Sequence, residues 1–358
     1  MGYSIQEGKR ENVMYSFTND YSEGAHPLIL DALQKTNLEQ TQGYGFDIYS
    51  AKASSKIKRL INNATADIHY LVGGTQTNAT FIAAALRPYQ AVISVDTGHI
   101  NVHEAGAVEA MGHKIITCPH KDGKLTIEMI SEVMRVHIDE HMVQPKMVYI
   151  SQTTELGTAY TTNEIKQLYT YCQDNDLYLF IDGARLGSAL VIEGCPSLEQ
   201  IARCCDAFYI GGTKMGAFIG ECLVIVNDML KPDFRYHMKQ RGAMLAKGRV
   251  ISIQFLTLFT NNLYFEIGKH QNLMADILRY GIVQLGYTFY VETNTNQVFP
   301  ILPNHIITKL QKSFSFIVMD KIDSNNSYIR LVTSWATKRE YIDKFIYILK
   351  KSGKDTRS

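Results

Sequence analysis

The stretch "LYLFIDGARLG", residues 177–187, decides how this chain folds. Leu177 to Ile181 form an apolar, aromatic-rich run that reads as a buried β-strand, and Asp182 ends it. A carboxylate at that position costs several kcal/mol of desolvation unless a cation meets it, so roughly that much must be recovered locally. Two partners are open. Arg185, three residues on, can pair with it, or Asp182 can face a protonated heterocycle nitrogen and leave Arg185 for another group.

Outward from this strand the same pattern repeats. Further strands are expected at 68–72, 91–95, 114–118, 146–151, 207–210 and 222–226. Helices are expected at 77–86, 99–111, 127–137 and 163–175, the last opened by the capping box Thr161 to Glu164. Strand–helix alternation at this spacing means an α/β fold, with a mostly parallel seven-stranded sheet flanked by helices. After Val226 the pattern changes. Residues 233–285 read as mainly helical, then come short strands at 287–292, 297–301, 315–319 and 328–332 and a final helix at 339–350. This is a smaller α+β C-terminal domain. The division expected is 41–265 for the large domain, with 1–40 and 266–358 in the smaller one.

Ligands of open parallel sheets bind beyond the carboxyl ends of the strands. Five successive strand ends carry capable groups: Gly73-Gly74-Thr75, Asp96-Thr97-Gly98-His99, Ser151 to Glu155, Asp182 to Arg185, and Gly211-Gly212-Thr213-Lys214. Their shared edge is a stronger signal than any one of them. Composition narrows the rest. A formal net charge of +1 gives no electrostatic case for nucleic acid or an anionic membrane. The longest uncharged runs are too short and too polar to span a bilayer. Six cysteines without a C-x-x-C pair, and no signal peptide, point to reduced thiols in a cytoplasm.

Each strand end has a plain reading and a chemical one. Gly73-Gly74-Thr75 is an ordinary turn with a threonine cap, or an anion cradle at a helix N-terminus. It is neither G-x-G-x-x-G nor a P-loop. His99 opens a helix, or it stacks on a flat cofactor and moves protons. His99 and His103 stand four apart, yet no H-E-x-x-H and no third ligand accompany them, and no metal is expected. Lys214 is a loop lysine, or it is the amine of a pyridoxal phosphate site. Such a site needs a lysine, an acid opposite the ring nitrogen, a phosphate cradle and a group over the ring. Lys214, Asp182, Gly73 to Thr75 and His99 supply all four.

On these residues the chain resembles the pyridoxal-phosphate enzymes of the aspartate aminotransferase fold (fold type I, PLP-dependent transferase-like). Within them it is similar to the L-threonine aldolase / β-eliminating lyase family. The stretches that carry the likeness are "NDYSEGAHP" (19–27), "YGFDIYS" (44–50), "GGTQTN" (73–78), "DTGHINVHEAGAVEAMGH" (96–113), "IDGARLG" (181–187), "GGTKMGAFIG" (211–220) and "IRLVTSW" (329–335). The resemblance implies Lys214 as the Schiff-base lysine, Asp182 as the partner of the ring nitrogen, Gly73, Gly74 and Thr75 as the phosphate turn, and His99 as the stacking histidine. It implies Arg185 and Arg330 at the substrate carboxylate and His141 near the substrate hydroxyl. Its reaction is cleavage of L-threonine or L-allo-threonine to glycine and acetaldehyde, in a homodimer or homotetramer. His99 or His141 would remove the hydroxyl proton.

The chain departs from the family where relatives read "GGGMRQAG". Here the sequence is "RGAMLAKG" (241–248), with Leu245 at the arginine position. The phosphate charge then falls to Arg241, Lys247 or Arg249. Rival readings are another pyridoxal-phosphate lyase or aminotransferase, a metal-dependent hydrolase using His99, His103 and Asp96, and a non-catalytic relative.

Overall fold

All seven strands expected for the large domain form, and they lie in one sheet. They are β1 (Asp67–Leu71), β2 (Gln90–Val95), β3 (Ile115–Cys118), β4 (Gln144–Ser151), β5 (Tyr178–Asp182), β6 (Ala207–Gly211) and β7 (Glu221–Ile225). The computed structural model describes residues 14–120 and 122–354. The sheet order is β1-β7-β6-β5-β4-β2-β3. β7 runs antiparallel to both its neighbours, and every other pairing is parallel. Six strands therefore end at one edge, and β7 begins there.

Side chains of a strand alternate between the two faces. Val148 and Ile150 enter one core layer with Leu179, Ile181, Phe208 and Ile210. Met147 and Tyr149 enter the other with Phe180, Ala207 and Tyr209. Both faces are covered, which is why these strands read as continuous apolar runs. The helix Thr162–Asp174 opens with the expected capping box: Thr161 accepts from the Glu164 amide, and Glu164 accepts from the Thr161 amide.

Two expectations fail locally. The helix expected at 99–111 is two four-residue helices, His99–Val102 and Ala107–Ala110. Ala105 (φ 51°) and Gly106 (φ 73°) break it, because left-handed backbone cannot continue a right-handed helix. The strand expected at 287–292 is reduced to one bridge, Phe289 to Pro300. Tyr290 lies on that segment and stacks its ring on Tyr328 at 4.1 Å.

The smaller unit has an antiparallel sheet built from Ile301–Pro303, Asn326–Val332 and Ile317–Lys321, with Gln297–Val298 also pairing onto Asn326–Val332. Its core takes Phe17, Met274, Leu278, Phe314, Phe345 and their neighbours. The N-terminal segment divides between the two cores. Tyr15–Ser16 pairs with Phe314–Ser315, whereas Ala25 and Ile29 are buried in the large core. Residues 1–13 lie outside the described residues. The boundary expected at 265/266 falls within one continuous helix, Leu263–Gln284: Tyr264 and Ile267 belong to the large core, Met274 to Ile282 to the small one.

That helix crosses the short helix Leu186–Ala189 at very close range. A Cβ on Gly268 would lie 2.1 Å from the Gly187 carbonyl oxygen. Backbone cannot yield as a flexible side chain can. Gly268→Ala is expected to lower stability by about 1–3 kcal/mol, read as a lower urea or thermal midpoint. An unchanged midpoint would show that the helices can separate freely.

Candidate active site

The strand ends close around a cavity of about 270 Å³. Gly73, Gly74, Thr75, His99, Asp182, Arg185 and Lys214 all line it. Seven of the residues singled out in the sequence are thus brought together by the edge on which six strands end.

Asp182 is buried (3 % exposed) and meets four donors. Tyr209 and the Ala184 amide donate to Oδ1 at 2.5 and 3.0 Å; Tyr149 and Asn78 donate to Oδ2 at 2.5 and 3.1 Å. Alternation explains the two tyrosines. Tyr149 and Tyr209 share the Phe180 face of the sheet, and Asp182, two residues beyond Phe180, points the same way. Burial alone would raise the Asp182 pKa. His99 and the donated hydrogen bonds outweigh it and hold the carboxyl below its ordinary range. The magnitudes agree: charge-assisted bonds contribute roughly 1.5–3 kcal/mol each, so four exceed a penalty of several kcal/mol.

Arg185 is not the partner of Asp182. Its Nε and Nη2 bind the two carboxylate oxygens of Asp20 at 2.8 and 3.2 Å. Asp20 is fully buried and also accepts from Asn296 at 2.9 Å. Burial opposes the Asp20 charge, but Arg185, Lys214 and these bonds keep its pKa low. Asp20 stands in the quoted "NDYSEGAHP" without an assigned role; no local spacing links it to a residue 165 positions away.

Lys214 sits in the 3₁₀ turn Thr213–Met215 just past β6. Gln271 holds its carbonyl at 2.8 Å, and Gly216 (φ 84°) turns the chain out of the site. Its Nζ lies 5.9 Å over the Tyr21 ring. Burial, then Arg185, depress its pKa, opposed by Asp20, Asp182 and Glu221. Glu221 also lines the cavity, and its Oε2 accepts the Gly212 amide at 3.1 Å. It is 4 % exposed, and burial pushes its pKa up to about 8. Sequence reasoning missed Glu221 because β7 was not recognised as antiparallel; reversed, the strand brings its first residue to the edge where the others end.

His99 gives its Nδ1 to Glu104 Oε1 at 2.8 Å, and Asn78 donates to the same oxygen at 2.8 Å. The helix Gly74–Ala85 starts at the cavity with no side-chain cap, so its first amides are open to an anion. A Cβ on Gly74 would lie 3.0 Å from the Tyr209 hydroxyl, tighter than ordinary contact. A turn open to an anion, a charged carboxylate and a deprotonation-prone lysine fit pyridoxal phosphate. The buried Thr153 Oγ1 and Glu155 Oε2, both on lining residues and without a protein partner, fit it too.

Arg330, on the strand Asn326–Val332, is half-buried beside Arg185, Asp20 and Tyr21. Its Nη2 reaches the Thr18 carbonyl at 3.4 Å, and its Nε is buried without a partner. Burial, then Arg185, lower its pKa.

Arg330 stands beside the cavity without lining it, and two further expected residues lie away from it. His141 is exposed in the turn before β4, at the amino end of that strand. β4 is eight residues long, so its two ends lie about 23 Å apart along extended chain. Lys247 is exposed and does not line the cavity. Among the three cations weighed for the phosphate, Arg241 shares a groove with Gly73 to Thr75, and its carbonyl accepts from Gln76 at 3.5 Å. Arg249 points to the Asn37 carbonyl instead, at 3.3 Å. Leu245 packs against the large core.

Residues 23–304 match the family described as beta-eliminating lyase. The low specificity L-threonine aldolase of a Pseudomonas species is 31% identical over 265 residues, 73% of this chain and 76% of that protein. The low specificity L-threonine aldolase of Pseudomonas aeruginosa is 28% identical over 334 residues, 91% of this chain and 94% of that protein. A solved structure of Leishmania major threonine aldolase is 46% identical, with a TM-score of 0.93, and the match covers 94% of this chain and 99% of that one. A Thermus thermophilus aspartate aminotransferase, at 14% identity and a TM-score of 0.70, shares the fold; that match covers 95% of this chain and 91% of that one.

The Glu221 shift has a measurable consequence. Its pKa is raised from the ordinary 4.5 to about 8 on folding. Between those values the folded state keeps a proton that the unfolded chain has lost, so stability falls as pH rises through this window. Glu221→Gln has no such proton. Between about pH 5 and 8 the urea midpoint should fall more steeply in wild type than in the variant, by on the order of 2 kcal/mol. Parallel slopes would mean that Glu221 is already ionised in the folded protein.

Proposed function

From the premise that this chain belongs to the beta-eliminating lyase family, we propose that it cleaves L-threonine and L-allo-threonine to glycine and acetaldehyde. The class of enzyme is a threonine-aldolase-type, pyridoxal-phosphate-dependent lyase. The observation that carries the substrate assignment is one cavity in which Lys214, Asp182 and the Gly73 to Thr75 turn all face inward, with Arg330 beside it.

Lys214, Asp182, His99 and the Gly73 to Thr75 turn would hold the cofactor, with Arg241 the cation beside the turn. Bound there, pyridoxal phosphate supplies an electron sink for the pair released when a bond to Cα breaks. The protein's own groups prepare that event. A depressed pKa keeps a larger share of Lys214 as the free amine at neutral pH. Asp182, held ionised by its donors, would keep a proton on the cofactor's ring nitrogen. Arg330, with an unsatisfied buried Nε, draws the substrate carboxylate. Arg185 flanks it, fixed by Asp20 so that its guanidinium does not swing onto Asp182. His99, tied through Nδ1 to Glu104, has Nε2 left to accept the β-hydroxyl proton. His141 has no part in this arrangement within one chain.

Assembly as a homodimer or homotetramer belongs to the same reading. Tyr44, Phe46 and Tyr236 are exposed together beside Arg235 and Lys239, an apolar patch suited to a second copy. Among the described residues no helix is long and apolar enough to cross a membrane. A cytoplasmic location is proposed alongside, since the six cysteines are all free.

The purified protein with pyridoxal phosphate should absorb at about 410–430 nm, and Lys214→Ala should lose the band together with activity. With L-threonine, glycine and acetaldehyde should appear in equal amounts. 2-Oxobutanoate with ammonia would instead identify an eliminating lyase, and absence of any band would sink the cofactor assignment.

Arg330→Lys keeps the charge and loses the planar fork. KM for L-threonine should rise roughly tenfold or more, with a smaller change in kcat. Unchanged KM would move the carboxylate to another group.

A further inference from the structure

Three carboxyls act on the Lys214 amine: Asp20, Asp182 and Glu221. Two of them are engaged elsewhere, Asp20 by Arg185 and Asp182 by its four donors. Glu221 is held differently, by the backbone that leads into Lys214 itself.

Its place follows from strand direction. β7 starts at Glu221, which pairs with Leu71 of β1 on one side and with Gly211 of β6 on the other. Leu71 leads toward the Gly73 to Thr75 turn, and Gly211 leads into the turn that carries Lys214. Three bonds tie that second turn to the start of β7. The Gly212 amide donates to Glu221 Oε2 at 3.1 Å and to the Gly220 carbonyl at 3.1 Å. The Gly220 amide donates to Thr213 Oγ1 at 3.2 Å. The approach is close: a Cβ on Gly212 would lie 2.6 Å from the Gly220 carbonyl oxygen.

We propose that Glu221 is the positioning residue of Lys214: it anchors the turn that carries the lysine, and its charge sets whether the lysine is a free amine or an ammonium. This inference rests on the reading of Lys214 as the reacting amine. Glu221 and Lys214 line one cavity. The other titratable and charged groups around Glu221 are Asp182, Tyr209, Tyr264 and Cys222. Burial holds the two phenols and the thiol well above their ordinary ranges, so they stay neutral, and Asp182 is held ionised. Lys214 is left as the neighbour whose charge can vary. Burial pushes the carboxyl up and the amine down, while each, when charged, favours the charged form of the other. The two therefore titrate as a pair. A neutral carboxyl leaves the amine free to react. An ionised carboxyl draws a proton onto it and takes away its nucleophilic lone pair.

The test is the titration of Lys214 in the full-length protein freed of cofactor. Acetic anhydride is applied in trace amounts across a pH series, and acetylation at Lys214 is read by mass spectrometry in wild type, Glu221→Gln and Glu221→Asp. Glu221→Gln keeps an acceptor for the Gly212 amide and loses the charge. Glu221→Asp keeps the charge and withdraws it from that amide. Without the carboxylate the ammonium loses a favourable neighbour, so the Lys214 midpoint should fall in Glu221→Gln by about half a pH unit or more, roughly a threefold change in the constant. It should move less in Glu221→Asp. A purely structural anchor gives the reverse order, with Glu221→Gln at the wild-type midpoint, and overturns the proposal. Should Glu221→Gln not fold, Glu221→Met is read by the same criterion. Pyridoxal phosphate is then added to the wild type. Absence of a band at about 410–430 nm removes the reading of Lys214 as the reacting amine. That failure is distinct, because the labelling midpoints are obtained before any cofactor is present.

Discussion

An ionised carboxylate under the protein surface is the constraint around which the large domain is arranged. Asp182 stays charged only because Tyr149, Tyr209, Asn78 and the Ala184 amide converge on it from four different segments. Each donor must be placed by its own element. Tyr149 needs β4 in register with β5, Tyr209 needs β6, and Asn78 needs the helix after β1 to pack on that face. Loss of any one leaves part of a buried charge unmet, which is far more costly than loss of a surface contact. The site and the sheet are therefore one structure.

A second charge system stands beside it. Arg185 and Asp20 form a buried pair that also includes Asn296, joining the N-terminal segment, the large sheet and the smaller unit. Through this pair the arginine nearest Asp182 in sequence is withdrawn from it. The effect on chemistry is direct: Asp182 keeps its negative charge for a ligand, and Lys214 sits in a field where burial and Arg185 favour the free amine while Asp20, Asp182 and Glu221 oppose this. Glu221 and Glu155 add two carboxyls whose burial favours the protonated form. A pocket holding one carboxylate held ionised and two inclined to stay neutral can both stabilise and donate protons at neutral pH.

Much of this was legible in the sequence. The large-domain strands were found because strands buried on both faces leave unbroken apolar runs, as in "LYLFI" before Asp182. Gly73 to Thr75, His99, Asp182, Arg185 and Lys214 were legible because parallel strands end together, so polar residues after successive strands must share an edge. What failed was either local backbone, as at Ala105 and Gly106, or strand polarity. Glu221 opens its strand rather than following one, and so did not count as a strand-end residue. His141 was assigned by likeness, with no pattern of its own to fix where it lies.

The sequence by itself determined the alternation of strands and helices, the mostly parallel sheet, and the lysine, aspartate and glycine turn that share one edge of it. These depend on hydrophobic period and on chain order, both local properties. Only the tertiary structure decided which groups neutralise which: Asp20 rather than Asp182 for Arg185, two tyrosines and an asparagine for Asp182, Glu104 for His99. Those pairings join residues up to 165 positions apart. Electrostatic partners are chosen by distance in space and by burial, and neither is written in the spacing of residues along the chain.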